Sequence, residues 1–424
     1  MAVWLTACGG GVQDSITPPP PPADTTRTPV VQRATLTVQV AIEAADTSVA
    51  RVAGVGADNV SVTLVRVGGG EAARTAVSRQ DGTAVFRDLL EGQYQVTVTR
   101  ELSANERARL PIEEREVSLF AGGGTAIVTP PADRATRIEL VASRRGSLVF
   151  SEVYRWIPII GTTSYQNAQY TELTNVADTT IFLDGMLIVR TFGQQHGGTP
   201  ESGFCDTYRE MRMDTTALWV IRLYRFPGSG REYPIRPGQS IVWALDAIDH
   251  GALVPGAPDL SRAQFEEIGG PADVDNPSAA KMLPLTRGSD VVPNGYPMVD
   301  GNLTALVLPI ARDTNDLERR SVPLNNPTAW RIPRASVLDV MSIATTPERY
   351  TGTASYRSGF RYCEPWMNGG FERALAQLWE PRDNKAMRRR LLGISPSNVP
   401  ILQRTRTSAR DFEVAEPLRR SLNR

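Results

Sequence analysis

Histidine and cysteine are scarce in this sequence: its 424 residues include two histidines, His196 and His250, and three cysteines, Cys8, Cys205 and Cys363. A structural zinc site or a histidine-based triad needs several such side chains converging, so the composition argues against both. Net charge is missing too. Lys plus Arg and Asp plus Glu number 46 each, which leaves no global field to hold nucleic acid or an anionic surface. No apolar run approaches the roughly 18 residues of a membrane-spanning helix. What the chain does have is punctuation. Its 35 glycines and 31 prolines suit many turns and short strands better than long helices. A hydrophobic share of 41% is adequate for packed cores, and the length suits two domains.

Near the start stands Leu5-Thr6-Ala7-Cys8-Gly9-Gly10-Gly11. Small residues before a cysteine and glycine after it resemble the lipobox at which bacterial lipoproteins are cleaved and acylated, which implies that Cys8 carries a lipid anchor. Only Met1 to Leu5 precede the box. The basic and hydrophobic parts of the signal are therefore expected upstream of this start. Residues 9–33 follow without periodicity and include the run Pro18 to Pro22. Such a tract cannot bury apolar surface and reads as a semi-rigid tether.

Period-two alternation then begins. Leu36, Val38, Val40 and Ile42 share one face, and Thr35, Thr37, Gln39 and Ala41 the other. Val60, Val62 and Leu64 repeat the pattern. Asp81-Gly82 marks a tight turn, because glycine accepts positive φ. The strands predicted after it place Phe86, Tyr94, Val96 and Val98 on a shared core. These pieces are similar to the carboxypeptidase-regulatory or prealbumin-like sandwich, an antiparallel module of exported proteins. The last strands are expected between Arg107 and Ala142, so the domain is taken as 34–142 and its role as mechanical.

A second pattern runs from Gly146. Ser151-Glu152-Val153, Tyr170-Thr171-Glu172-Leu173-Thr174-Asn175, Ile181-Phe182-Leu183-Asp184-Gly185 and Pro237-Gly238-Gln239 follow one another, and Asp411-Phe412 and Pro417 to Asn423 close it. The succession resembles the lamin-tail-like domain, an immunoglobulin-type sandwich, with Arg419-Arg420 departing from its usual closing turn. The domain is taken as 146–424, with insertions at about 190–217, 250–300 and 345–400. Helical spacing predicts two helices there, Phe371 to Trp379 and Asn384 to Leu392. The expected fold is mainly β: two antiparallel, immunoglobulin-like β-sandwich domains, the second carrying long loop and short-helix insertions.

The whole arrangement resembles an uncharacterised family of surface lipoproteins from Bacteroidetes-like bacteria, whose members are discussed beside outer-membrane uptake receptors. The resemblance implies an outer-membrane location, a lipid anchor in the membrane and a non-catalytic binding or scaffolding role. The partner would be an outer-membrane receptor or a surface glycan, and not nucleic acid. In an oxidising envelope Cys205 and Cys363 are expected to pair. The loop closed, about 160 residues long, would contribute on the order of 4–5 kcal/mol, less any strain.

Other candidates carry competing readings. Glu152 and Glu172 are the pair that could act as general acid and base, yet each sits in strand sequence, where a structural role or solvent exposure is expected. Asn175 and Asp184 fall at turns and are expected to cap local amides. Asp246, Asp249 and His250, with Asp273 and Asp275, are the metal candidates. Their oxygen-rich loops would suit calcium, but the regular calcium-loop series is absent and no cofactor is expected. A metal-assisted hydrolase using Asp246, Asp249 and His250 stays open as the alternative, as does a purely structural spacer. The basic tract Arg382, Lys385, Arg388, Arg389, Arg390, Arg404, Arg406 and Arg410 reads as a solvated helix face rather than an anion site. Trp156, Tyr165, Tyr170, Trp330, Tyr350, Tyr356, Tyr362 and Trp366 are either core or stacking platforms for sugars, and composition does not separate the two.

Overall fold

The computed structural model describes residues 31–191, 211, 214–267, 275–286, 303–321, 328–344, 371, 376–377 and 384–417. Cys8, Cys205, Cys363, Asp273, Arg382, Tyr350, Tyr356, Tyr362 and Trp366 lie outside the described residues. Among those residues the chain is mainly β, in several sheets, and no helix is long and apolar enough to cross a membrane.

The first seven strands are Ala34–Ile42 (β1), Ser61–Arg66 (β2), Arg74–Val77 (β3), Thr83–Leu89 (β4), Gly92–Glu101 (β5), Leu119–Val128 (β6) and Arg134–Ser143 (β7). They hydrogen-bond in the order β3-β2-β5-β6-β7-β1-β4. The alternation in β1 is real: Ala34, Leu36, Val38 and Val40 are buried and the residues between them half-buried. β6 pairs with β5 along its whole length but with β7 only through Leu119–Ala121. Beyond that point the two halves separate and enclose one core, built from Leu36, Val62, Phe86, Tyr94, Phe120 and Leu140 among others. The parting occurs at Gly122, where a Cβ would stand 2.1 Å from the carbonyl oxygen of Glu139. The Asp81-Gly82 turn forms as expected, with Gly82 at φ +77° and the Asp81 carboxylate accepting from the Thr83 amide at 2.9 Å.

Two larger sheets follow. One runs Ala280–Lys281 (β18), Phe265–Glu266 (β17), Ser240–Ala244 (β16), Tyr170–Asn175 (β11), Leu148–Tyr154 (β8), Ala386–Arg389 (β25) and Phe412–Ala415 (β28). The other runs Arg319–Ser321 (β21), Thr328–Pro333 (β22), Ala217–Arg225 (β14), Leu187–Thr191 (β13), Leu303–Val307 (β20), Val337–Ala344 (β23) and Ala376–Gln377 (β24), with Leu283–Pro284 (β19) also on β14. Three short pairs complete the set: Ile159–Ile160 with Thr163–Ser164 (β9, β10), Ile181–Phe182 with Pro234–Ile235 (β12, β15), and Leu391–Ile394 with Pro400–Leu402 (β26, β27).

Phe150, Leu173 and Trp243 of the first of these sheets share a core with Ile188, Tyr224 and Met341 of the second. Each sheet is also covered on its other face, by clusters around Val189, Val220 and Ile332 and around Tyr170, Ala244 and Leu260. Strands buried on both faces lose the apolar–polar alternation, which is why β8, β11, β13 and β20 are buried at every position.

The structure corrects the second helix expectation: Asn384–Leu392 is β25 and the start of β26. Of Phe371–Trp379 only Phe371, Ala376 and Gln377 are among the described residues, and the last two form β24. β25 pairs with β8 on one side and β28 on the other and buries Ala386, Met387 and Arg389. Cross-strand bonding on both edges, together with burial, overrides a helical spacing read from sequence. Leu306 is buried, whereas Leu308, beyond the end of β20, is 38% exposed.

Candidate functional site

The basic tract is the largest departure from expectation, because its described members are all ion-paired and three of them, Arg389, Arg404 and Arg406, are buried. Arg389, its side chain 1% exposed, donates from Nη2 to Asp339 at 2.6 Å and from Nε to the Phe150 carbonyl at 2.7 Å. Its guanidinium lies 4.4 Å over the Phe412 ring. Arg404 reaches the other Asp339 oxygen at 3.3 Å and the Arg145 carbonyl at 2.8 Å. Asp339 also accepts the Phe150 amide at 3.0 Å, so one carboxylate serves two cations and a strand. Asp411 accepts both the amide and the hydroxyl of Thr405, and burial pushes its carboxyl up. Arg388 donates to Glu152 at 2.8 Å. Of the described members only Lys385 and Arg390, 39% and 47% exposed, resemble a solvated face.

The rest of the tract joins the first sheet to the later ones. Arg410 binds Asp46 and Glu43, just after β1, at 2.8 Å each. Arg406, Arg334 and Arg144 converge on Glu116, which lies just before β6. Burial would raise the Glu116 carboxyl, but the Arg406 hydrogen bond and the charges of Arg144, Arg406 and Arg334 outweigh it and hold the pKa at about 2 against an ordinary 4.5. A depressed folded-state pKa gives stability that is present above the unfolded value and lost as pH falls through the folded one. Glu116→Gln is therefore expected to be less stable than wild type near neutral pH, with the deficit shrinking between pH 4.5 and about 2 in urea denaturation. A deficit that does not change with pH would show that Glu116 contributes no charge-dependent stability.

Backbone contact reinforces the ionic one. β26 lies against β5 and β6, where a Cβ on Gly123 would sit 1.9 Å from the Leu392 carbonyl oxygen and one on Gly393 would meet Thr97 Oγ1 at 2.6 Å. The Ile394 amide donates to that same Thr97 oxygen at 3.0 Å. Leu392 completes an apolar cluster with Leu119, Ala121 and Val141.

A cavity of about 560 Å³ opens along this junction, its walls drawn from both sides. Thr63, Thr97 and Thr99 come from the first sheet, Thr179 from the turn after β11, and Ser395 and Ser397 from the turn between β26 and β27. At its rim Arg145 pairs with Glu101 at 2.6 Å and approaches Asp178 at 3.8 Å. Hydroxyls beside a guanidinium–carboxylate pair offer donors and acceptors of both signs, a chemistry of recognition.

The fold resembles that of a DUF4876 family protein. That protein, from Bacteroides thetaiotaomicron, aligns over 91% of this chain and 96% of its own with a TM-score of 0.53 and 16% identity. At that identity the likeness is one of fold. A DUF3823 family protein from Parabacteroides merdae matches over 39% of this chain and 68% of its own, with 12% identity and a TM-score of 0.18, and carries no inference. No protein-family model matches the sequence, and no curated protein does.

Within this DUF4876-like fold the remaining sequence candidates are dispersed. Glu152 and Glu172 are brought together as cross-strand partners of β8 and β11. Both are buried, which excludes the solvent-exposed alternative: Glu152 accepts from Tyr170 as well as Arg388, and Glu172 accepts from the Ser151 hydroxyl at 2.8 Å. Burial and the neighbouring Glu152 push the Tyr170 hydroxyl well up, so it stays a donor. His250 is fully buried, with Nδ1 2.7 Å from the Tyr165 hydroxyl and Nε2 2.8 Å from the Asp246 carbonyl. A carbonyl only accepts, so Nε2 carries the proton and Nδ1 accepts from Tyr165. Burial lowers the His250 pKa, which favours that neutral form. Asp249 accepts the Gly251 amide at 2.9 Å, and Asp275 pairs with Lys281. Among the described residues no three His, Cys, Asp or Glu side chains come together as a metal set.

Asn175 caps locally, accepting the Ala177 amide at 2.9 Å. Asp184 instead accepts from the distant amides of Gly230, Glu232 and Tyr233. Trp156 and Tyr165 are half-buried, while Tyr170 and Trp330 are buried. Sequence reasoning missed Asp339, Glu116, Gly123 and Thr97. The one available signal was Asp339, a lone acid in the apolar stretch Val337-Leu338-Asp339-Val340-Met341, where a buried charge demands partners.

Proposed function

We propose that this chain is a lipid-anchored protein of the bacterial cell envelope, held at the outer membrane through Cys8 and its proline tether. It consists of a prealbumin-like and an enlarged lamin-tail-like β-sandwich, both immunoglobulin-like, and it binds rather than catalyses. The observation that carries this reading is the junction cavity. Its walls come from both units, which the ion pairs of Arg410 with Asp46 and of Arg406 with Glu116, together with close backbone contact, hold in one arrangement, so it presents a preorganised polar surface. The partner is an outer-membrane uptake receptor or a surface glycan.

The test is an affinity pull-down of the chromosomally tagged protein from detergent-solubilised envelopes, beside a Ser397→Trp variant that fills the cavity from an exposed turn. Recovery of one partner in near-equal amount, reduced about tenfold by Ser397→Trp, is expected. Recovery of the protein alone, or equal recovery with the variant, would defeat the reading.

A further inference from the structure

A separate cavity, of about 760 Å³, lies beside β14, β19 and β22 and is lined by Arg225, Leu283, Pro284, Arg312, Asn315 and Trp330 among others. Among the described residues, two of its lining groups hold buried donors without an acceptor. Trp330 is 6% exposed, and its indole Nε1–H meets no partner. Arg225 donates from Nη1 to the Arg312 carbonyl at 3.1 Å, while its buried Nε–H has none. Buried N–H groups are paired in the great majority of cases, and two donors without a partner among the described residues, both on groups lining one cavity, are suited to an acceptor entering it. Both groups can only donate.

The charge in the lining has the same bias. Among the described lining residues Arg225 and Arg312 bring two cations, and the one acid, Asp313, already accepts the Asn315 amide at 2.6 Å. Opposite these stand apolar Leu283 and Pro284, with Thr314 and Thr328 hydroxyls between. A cavity of this volume takes a ligand of more than one ring, and its mixed lining suits a pyranose, which has an apolar C–H face and a polar edge. We infer that this cavity binds a saccharide bearing a carboxylate, with the carboxylate accepting from Trp330 Nε1 and Arg225 Nε and Arg312 supplying the counter-charge. The site is independent of the junction cavity.

Calorimetric titration of the full chain tests this with tetragalacturonic acid, a hyaluronan tetrasaccharide and 3′-sialyllactose, each beside its carboxyl-methylated form, and with a glutamate-rich peptide. At least one carboxylated saccharide is expected to bind, with its methyl ester weaker by about tenfold or more. Trp330→Phe keeps an aromatic ring but removes the donor, and Arg225→Gln removes the cation. Each is expected to weaken binding about tenfold. Arg312→Ser, at an exposed position, serves as the variant least able to disturb folding and is expected to weaken the carboxylated ligand but not its ester. The inference is overturned if none of the three acids binds, if esters bind equally, if all three variants bind like wild type, or if the peptide binds in place of the saccharides. None of these outcomes touches the pull-down at the junction, which stands or falls on Ser397.

Discussion

Asp339→Ala is expected to cost about 3–5 kcal/mol, because it removes a buried carboxylate on which two buried arginines converge. The reason is what it leaves behind. Arg389 and Arg404 have side chains 1% and 4% exposed; Arg404 loses its carboxylate, and Arg389 keeps only the longer contact with Asp411 at 3.5 Å. The Phe150 amide loses its acceptor as well. Urea denaturation followed by circular dichroism and tryptophan fluorescence measures the loss. Arg390→Ala is the control. Its partner Glu413 lies 3.0 Å away, but the two side chains are 47% and 45% exposed, and a pair so solvated contributes at most about 1 kcal/mol. Equal effects from the two substitutions would mean that burial is not what distinguishes these arginines.

Gly123→Ala is expected to lift the β26–β27 hairpin off the first sheet. The added Cβ would stand 1.9 Å from a backbone oxygen, and no rotamer relieves a clash with backbone. Overpacking of this kind costs about 1–3 kcal/mol, and the loss here belongs at the upper end because Leu392 leaves its cluster with Leu119, Ala121 and Val141. Hydrogen exchange at the Ile394 amide, bonded to Thr97 Oγ1, should accelerate in the variant. Gly70→Ala is the comparison, since nothing lies within 4 Å of a Cβ there. Its effect should stay within about 0.5 kcal/mol. Were Gly123→Ala as stable and as protected as Gly70→Ala, the hairpin would not be seated on the sheet as described.

These two positions mark where sequence reading stops. Gly123 sits in a glycine run that reads equally well as a flexible turn, and the atom that excludes a side chain belongs to Leu392, far along the chain. Arg388-Arg389-Arg390 reads as one charged surface, yet Arg388 and Arg390 turn toward Glu152 and Glu413 while Arg389 turns inward to Asp339. A strand sends successive side chains to opposite faces, so once this segment is a strand the triplet divides. Helical spacing had concealed that division. The candidate metal residues illustrate the converse: Asp246, Asp249 and His250 are neighbours in sequence, but His250 turns both ring nitrogens to Tyr165 and a carbonyl. Nothing local to that segment names Tyr165 as the partner.

By itself the sequence determined the strand character of the chain, the alternating face of β1, the Asp81-Gly82 turn and the shared core of Phe86, Tyr94, Val96 and Val98, because each depends on residues within a few positions of one another. Tertiary structure alone decided which charges are buried, which glycines cannot carry a side chain and which donors are left facing a cavity. Those properties depend on atoms brought together from distant segments: Arg410 finds Asp46 across 364 residues, and Thr97 finds Ile394 across 297. Desolvation and close contact act on distance in space, and a linear pattern carries no record of it.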